Sequence, residues 1–210
     1  MKILAHRGYW NGLIQNNSYE AITKALENGF GFESDIRDYC GDIVISHNMA
    51  DKKSFSASSI FEILSQYEDK FCFAINIKAD GLKDILHDKL REYKIENYFT
   101  FDMSVPQMIE YREKGLKYFT RQSEYENECV LYDDAAGVWI DAFIEESWIT
   151  EELLNKHLGK GKKVCIVSPD LHKRQYLTFW NRLKMFKINF DNVILCTDFP
   201  CEARKFFENI

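Results

Sequence analysis

A chain of 210 residues, 46% hydrophobic and 29% charged, has the length for one sizeable core and the composition of a folded protein, not a disordered one. Acidic residues outnumber basic ones by 33 to 27, and a formal charge of -6 excludes the broad basic face that neutralises nucleic-acid phosphates, though not one local basic pocket. No apolar stretch approaches the roughly 18 residues of a membrane span. None of signal-peptide length precedes His6, so the expectation is a cytoplasmic protein without integral membrane association.

In chain order, the first apolar run, "KILAH", ends on His6 and Arg7 and turns at Gly8. A strand that stops this way delivers polar side chains to a site, and glycine lets the backbone turn close to a ligand. "SYEAITKALENG" predicts a helix, with Ser18 as N-cap, Ala21, Ile22, Ala25 and Leu26 as the apolar stripe, and Gly29 as the stop. "GFESDI", with "DIVISH" close behind, reads as strand, and so do "FCFAINIK", "NYFTF", "KYFTR", "GVWIDAF", "KVCIVS" and "NVILCTD". Helices fit "SASSIFEILSQYED", "GLKDILHDKLREYKIEN", "SVPQMIEYREKG", "SWITEELLNKHLG", "KRQYLTFWNRLKMF" and "CEARKFFENI", whereas "QSEYENECVLYDDAA" has no helical period and is a loop or a short helix. The six cysteines form no CxxC pair, and three of them (Cys72, Cys165, Cys196) lie in apolar runs, which reads as buried thiols in a reducing compartment. Alternation of strands and helices predicts an α/β protein, a single-domain (β/α)8 barrel over residues 1–210, with a doubly wound open sheet as the runner-up.

Such barrels build their sites at the C-terminal ends of strands. There the sequence places His6 and Arg7, Glu33 and Asp35, His47, Asn76 and Lys78, Asp102, Arg121, Asp141 and Asp198. In "FESDI" the carboxylates of Glu33 and Asp35 share one face of a strand, and they repel unless a proton or a cation lies between them. Mg²⁺ or Ca²⁺, with Mn²⁺ as a variant, suits such oxygen ligands. Asn76 can complete the cation shell or be a buried amide satisfied by backbone. Lys78 can neutralise a phosphate or pair with Glu33 or Asp35. His6 and His47 end apolar runs, so two imidazoles can serve as general base and general acid, while His87 and His157 fall on amphipathic helices where a surface position is expected. Arg7 offers planar donors to a phosphate oxygen. A cation site, two imidazoles and basic donors together describe phosphodiester cleavage.

"AHRG", "NNSYEAITKALENGF", "FESDI", "IVISHN" and the closing "VILCTDFP" resemble the glycerophosphodiester phosphodiesterase family, within the phospholipase-C-like phosphodiesterases of (β/α)8 fold. The resemblance implies His6 and His47 as catalytic histidines, Arg7 as the phosphate-contacting arginine, and Glu33 and Asp35 as metal ligands. It also marks departures: Asn76 stands where the family has a third acidic ligand, Asn16 where an acidic residue is usual, and Asn48 where aspartate is usual. Fewer negative charges weaken cation binding and leave room for another substrate, a glycerol, polyol or sugar diester, or for a barrel that binds a phosphate ligand without turnover. Arg121, Glu124, Asp141, Ser168 and His172 have no equivalent in the family signature and are candidates for reading the head group, with loop capping as the alternative for each. Oligomeric state is not legible.

Overall fold

The computed structural model describes residues 1–208. The chain packs as two compact units, Ala5–Tyr118 and Met1–Leu4 with the chain from Phe119 onward. Strand β1 (Lys2–His6) gives Ala5 and His6 to the first unit and the residues before them to the second.

In Ala5–Tyr118, helix α1 (Tyr19–Glu27) forms as its pattern requires: the Ser18 hydroxyl accepts from the Ala21 N–H at 3.1 Å, and Ala21, Ile22, Ala25 and Leu26 are buried. Strand β2 (Gly31–Tyr39) is buried from Gly31 to Ile36 and then turns polar. A tight turn with Cys40 at φ 50° and Gly41 at φ 82° returns the chain antiparallel as β3 (Asp42–Ile45), which pairs in turn with the two-residue β4 (Phe55–Ser56). The sequence did not announce β4, which is too short to carry a periodic pattern. Helix α2 (Ser58–Ser65) leads to β5 (Phe73–Ile77), which lies parallel to β2 with Asp35 opposite Asn76. Helix α3 (Lys83–Glu92) is shorter than the predicted 81–97 because Lys94 enters the left-handed region at φ 56° and the Ile95 N–H closes back on the Leu90 carbonyl at 2.9 Å. Strand β6 (Tyr98–Phe101) lies parallel to β5, and α4 (Val105–Glu113) starts at a Ser104 cap. Phe32 and Phe73 pack with ring centroids 4.5 Å apart, Phe61 lies 6.0 Å from Phe73, and Ile22 and Leu86 are also fully buried.

In the second unit, β7 (Phe119–Gln122), β8 (Gly137–Ile140), β9 (Lys163–Val167) and β10 (Val193–Thr197) form a parallel run in that order. Between β7 and β8 the chain makes turns and no helix, the loop alternative for "QSEYENECVLYDDAA". Helix α5 (Glu151–Leu158) begins at a Thr150 cap, α6 (Leu177–Lys184) follows a short 3₁₀ turn over Pro169–His172, and α7 (Pro200–Phe206) ends the described structure. The last residues of "CEARKFFENI", 209–210, lie outside the described residues. Val138, Ile140, Val164, Ile166, Trp180, Leu183 and Leu195 make the core.

One expectation is corrected here. His157 is not on a surface but is 2% exposed, its Nε2 2.8 Å from the Gln122 side-chain oxygen and its Nδ1 2.9 Å from the Tyr132 hydroxyl. Burial, then Lys156 and Lys160, lowers its pKa to about 4, so it is held neutral. Cys72, Cys165 and Cys196 are buried free thiols, as their apolar runs imply.

Candidate active site

The ends of β1, β2 and β5 bring together one charged cluster within Ala5–Tyr118. Glu33 and Asp35 are 1% and 0% exposed. Asp35 is the hub: Arg7 Nε lies 3.2 Å from its Oδ2, Lys78 Nζ 3.3 Å from its Oδ1, and the Asn17 amide donates to Oδ2 at 2.6 Å. Neither Arg7 Nε nor Asp35 Oδ1 makes a well-directed hydrogen bond, so the two cations bind this carboxylate as charges rather than through aligned donors. Arg7 pays for its position in backbone conformation, with φ at 57°. From there its N–H donates to Glu33 Oε2 at 3.2 Å, while His6 Nε2 is 3.8 Å from the same oxygen. Gly8 follows at φ 85°, and a Cβ there would stand 2.6 Å from the Ala21 carbonyl carbon, so only glycine fits.

Burial, reinforced by the Asp35 charge, pushes the Glu33 carboxyl up to about 7 against the opposing pull of His6, Arg7 and Lys78. Asn76 is 7% exposed; its amide donates to Asp102 Oδ2 at 3.2 Å, and its side-chain oxygen has no hydrogen-bond partner. Asp35 Oδ1 and Asn76 Oδ1 are thus two buried oxygens without a directed donor, on residues paired across β2 and β5. With Glu33 they supply the oxygen chemistry that a hard divalent cation takes, and Lys78 Nζ, 3.3 Å from Asp35 Oδ1, faces one of the three. Among the described residues no three His, Cys, Asp or Glu side chains gather as a metal cage.

His47 is exposed after β3, with Nδ1 3.0 Å from the Asn48 side-chain oxygen. It lines a cavity of about 490 Å³ together with Arg7, Asn16, Asn17, Ser18 and Asn48. Arg7 therefore joins the open cavity to the buried carboxylates. Asn17 is a site residue that the sequence reading passed over: at φ 52° it holds Asp35, accepts from the Ser34 hydroxyl at 2.8 Å, and donates its N–H to the Arg7 carbonyl at 2.9 Å. The only signal for it was an asparagine, tolerant of left-handed backbone, just ahead of a helix cap.

The remaining candidates lie in the second unit. Arg121 makes a two-point pair with Glu126, at 2.5 and 3.0 Å. Glu124 accepts from three backbone N–H groups, of Phe143, Ile144 and Glu145. Partial burial raises its pKa, but these bonds outweigh that and bring it to about 2. His172 faces Asp141 at 2.6 Å, and the Ser168 hydroxyl accepts from the Trp180 indole at 2.9 Å in the core. Asp170, which the sequence reading did not single out, is 6% exposed, with one oxygen taken by Thr197 and the Asp198 N–H and the other unpartnered.

Solved structures of the (β/α)8 class expected from sequence share this fold. A glycerophosphoryl diester phosphodiesterase from Parabacteroides distasonis matches with a TM-score of 0.72 and 13% identity, over 99% of this chain and 86% of that one. A phosphodiesterase from Oleispira antarctica, in complex with its product sn-glycerol-3-phosphate, matches with a TM-score of 0.66 and 13% identity, over 100% and 97%. A Ca²⁺-dependent phosphatidylinositol-specific phospholipase C from Streptomyces antibioticus gives 0.57 and 9%, over 97% and 95%. No protein-family model and no curated protein sequence matches the chain. Among the described residues no helix is long and apolar enough to cross a membrane.

Proposed function

We propose that the chain is a divergent member of the glycerophosphodiester phosphodiesterase family: a metal-dependent, single-domain barrel enzyme of the cytoplasm that cleaves a small glycerol, polyol or sugar phosphodiester. The observation that carries this reading is Arg7, which lines the cavity shared with His47 and at the same time pairs with Asp35 beside Glu33 and His6. In that arrangement Arg7 and Lys78 receive the phosphate's negative charge, and His6 and His47 exchange the two protons of the reaction: one takes the proton of the attacking hydroxyl, the other returns one to the departing alkoxide. If the attacking hydroxyl belongs to the substrate instead of water, the same residues give a cyclic phosphate. Glu33, Asp35 and Asn76 would hold Mg²⁺, Ca²⁺ or Mn²⁺, which when bound supplies positive charge for a phosphoryl oxygen. Likeness to glycerophosphodiester phosphodiesterases and to a Ca²⁺-dependent phospholipase C supports this.

The test is ³¹P NMR on a panel of soluble diesters with EDTA or each cation. Cleavage that needs metal and falls by about 10²–10⁴ in His6→Ala is the expected result. A second reading, a barrel that binds a phosphate ligand without turnover, draws on Asn76: its amide nitrogen donates to Asp102, and an amide brings no charge to the cation. A diester that binds yet survives intact with every metal would replace the first reading with the second.

A further inference from the structure

An amide differs from a carboxylate in having one accepting end and one donating end, so it serves a cation only when the oxygen end is the one presented. Asn76 lies in β5 between two strands that carry acids: Asp35 stands opposite it on β2, and Asp102 follows Phe101, its register partner on β6. It is 7% exposed, so both ends of its side chain need partners inside the protein. The nitrogen end has one, donating to Asp102 Oδ2 at 3.2 Å. The oxygen end is buried without any.

Asp102 explains the asymmetry. A carboxylate accepts hydrogen bonds and does not donate them, so Asp102 can hold the amide only by its nitrogen. Turning the amide over would set Asn76 Oδ1 against the Asp102 carboxylate, oxygen against oxygen, and forfeit the bond. Asp102 itself stands at φ 65°, a left-handed conformation that aspartate tolerates and that persists where the surroundings fix it.

A buried oxygen left without a donor is unfavourable by itself. Asn76 Oδ1 is one such oxygen and Asp35 Oδ1, on the paired residue of β2, is another. A cation would satisfy both, and groups that orient a metal ligand from behind contribute strongly to its affinity. We infer that Asp102 is a positioning residue of the cation site: it grips Asn76 by the nitrogen, keeps the amide oxygen as the presented end, and polarises the amide through a charge-assisted bond so that this oxygen binds more strongly. The inference rests on the metal-dependent reading proposed above and deepens it, since that reading gives Asp102 no task.

Isothermal titration calorimetry of the full chain with Mn²⁺, Ca²⁺ and Mg²⁺, and no substrate, tests it. Glycine takes a left-handed φ without strain, so Asp102→Gly removes the carboxylate and leaves the backbone in place. Should that variant lose the wild-type circular dichroism, Asp102→Asn carries the test, because asparagine tolerates the same φ and keeps an acceptor oxygen. Expected is a cation affinity about 10- to 100-fold weaker in Asp102→Gly and about fivefold weaker in Asp102→Asn. In an Asn76→Asp background, whose side chain presents oxygen at either end, there is nothing to aim, and the same Asp102 changes should weaken binding by less than about twofold. A merely structural Asp102 would weaken both backgrounds alike. That result, or wild-type affinity in the Asp102 variants, would overturn the assignment and leave the metal-dependent reading standing. A wild type that takes up none of the three cations would overturn both, so the two failures are told apart by the wild-type titration alone.

Discussion

The two compact units handle charge in opposite ways. In Ala5–Tyr118 the carboxylates lie inside a strand, Glu33 and Asp35 are almost fully buried, and the cations that face them come from neighbouring strands at the cost of a left-handed Arg7. From Phe119 onward several part-exposed charged groups close into pairs, Arg121 of β7 with Glu126, Arg174 with Glu146 and His172 with Asp141, with Asp170 as a buried exception. Buried charges with incomplete hydrogen bonding keep perturbed protonation and strong local fields, the properties that chemistry uses. Loop pairs fix backbone and shape, the properties that recognition uses. This difference is what makes the first region the candidate reaction centre of the proposed function.

Removing the hub should separate the regions most. Asp35→Ala leaves Arg7 and Lys78 facing each other without their anion, and the expected loss is about 3 kcal/mol, the low end for a broken buried pair because both cations keep 22% of their side-chain surface in water. Urea unfolding measures it; a variant as stable as the wild type would mean that the cluster does not hold the first unit together. Next comes Gly8→Ala, where a positive φ and a 2.6 Å clash with Ala21 combine to cost about 2 kcal/mol or more. An unchanged melting temperature there would show that the turn after β1 yields.

The pH dependence sharpens the same contrast on a smaller scale. A carboxyl with a higher pKa folded than unfolded binds its proton more tightly when folded. Glu33's contribution is therefore fully present below its ordinary 4.5 and is lost as pH rises through about 7. With chelator present, wild type minus Glu33→Gln should show stability falling across that window by on the order of 2 kcal/mol. A difference curve that is flat, or that rises with pH, would place Glu33 in a wetter setting than its burial implies.

What the sequence made legible follows from where information is local. Strands and helices appeared because apolar spacing, the Ser18 cap and the Gly29 stop act over a few residues. Glu33 and Asp35 were visible as a pair because alternation in a strand puts them on one face. Lys78 was legible as a partner of Glu33 or Asp35, and Asp35 is the one it meets; that Arg7 joins it there was not, since it depends on which strands neighbour β2. His157 was misread for a related reason: a helix pattern shows which positions face inward only if the inward polar groups find partners, and Gln122 and Tyr132 are 35 and 25 residues away. Asn17 was missed because its role rests on a left-handed backbone and a contact 18 residues on.

The smallest expected effect is the one that isolates the second region's design. Glu124 was read from sequence as a head-group contact or a loop cap, and its three backbone N–H partners favour the cap. Glu124→Ala removes a charged acceptor from part-exposed donors that water can reach, so global stability should fall by only about 1 kcal/mol. The local consequence is larger than that figure suggests, because those three N–H groups flank Phe143. Hydrogen exchange at Phe143, Ile144 and Glu145 should quicken by more than the global loss allows, while amides of β2 and β5 keep their wild-type rates. Glu124→Gln, which retains an acceptor, should restore part of the protection. Uniform quickening across both units would mean that the loop has no separate stability of its own, and that Phe143 is presented by the whole fold instead of by this carboxylate.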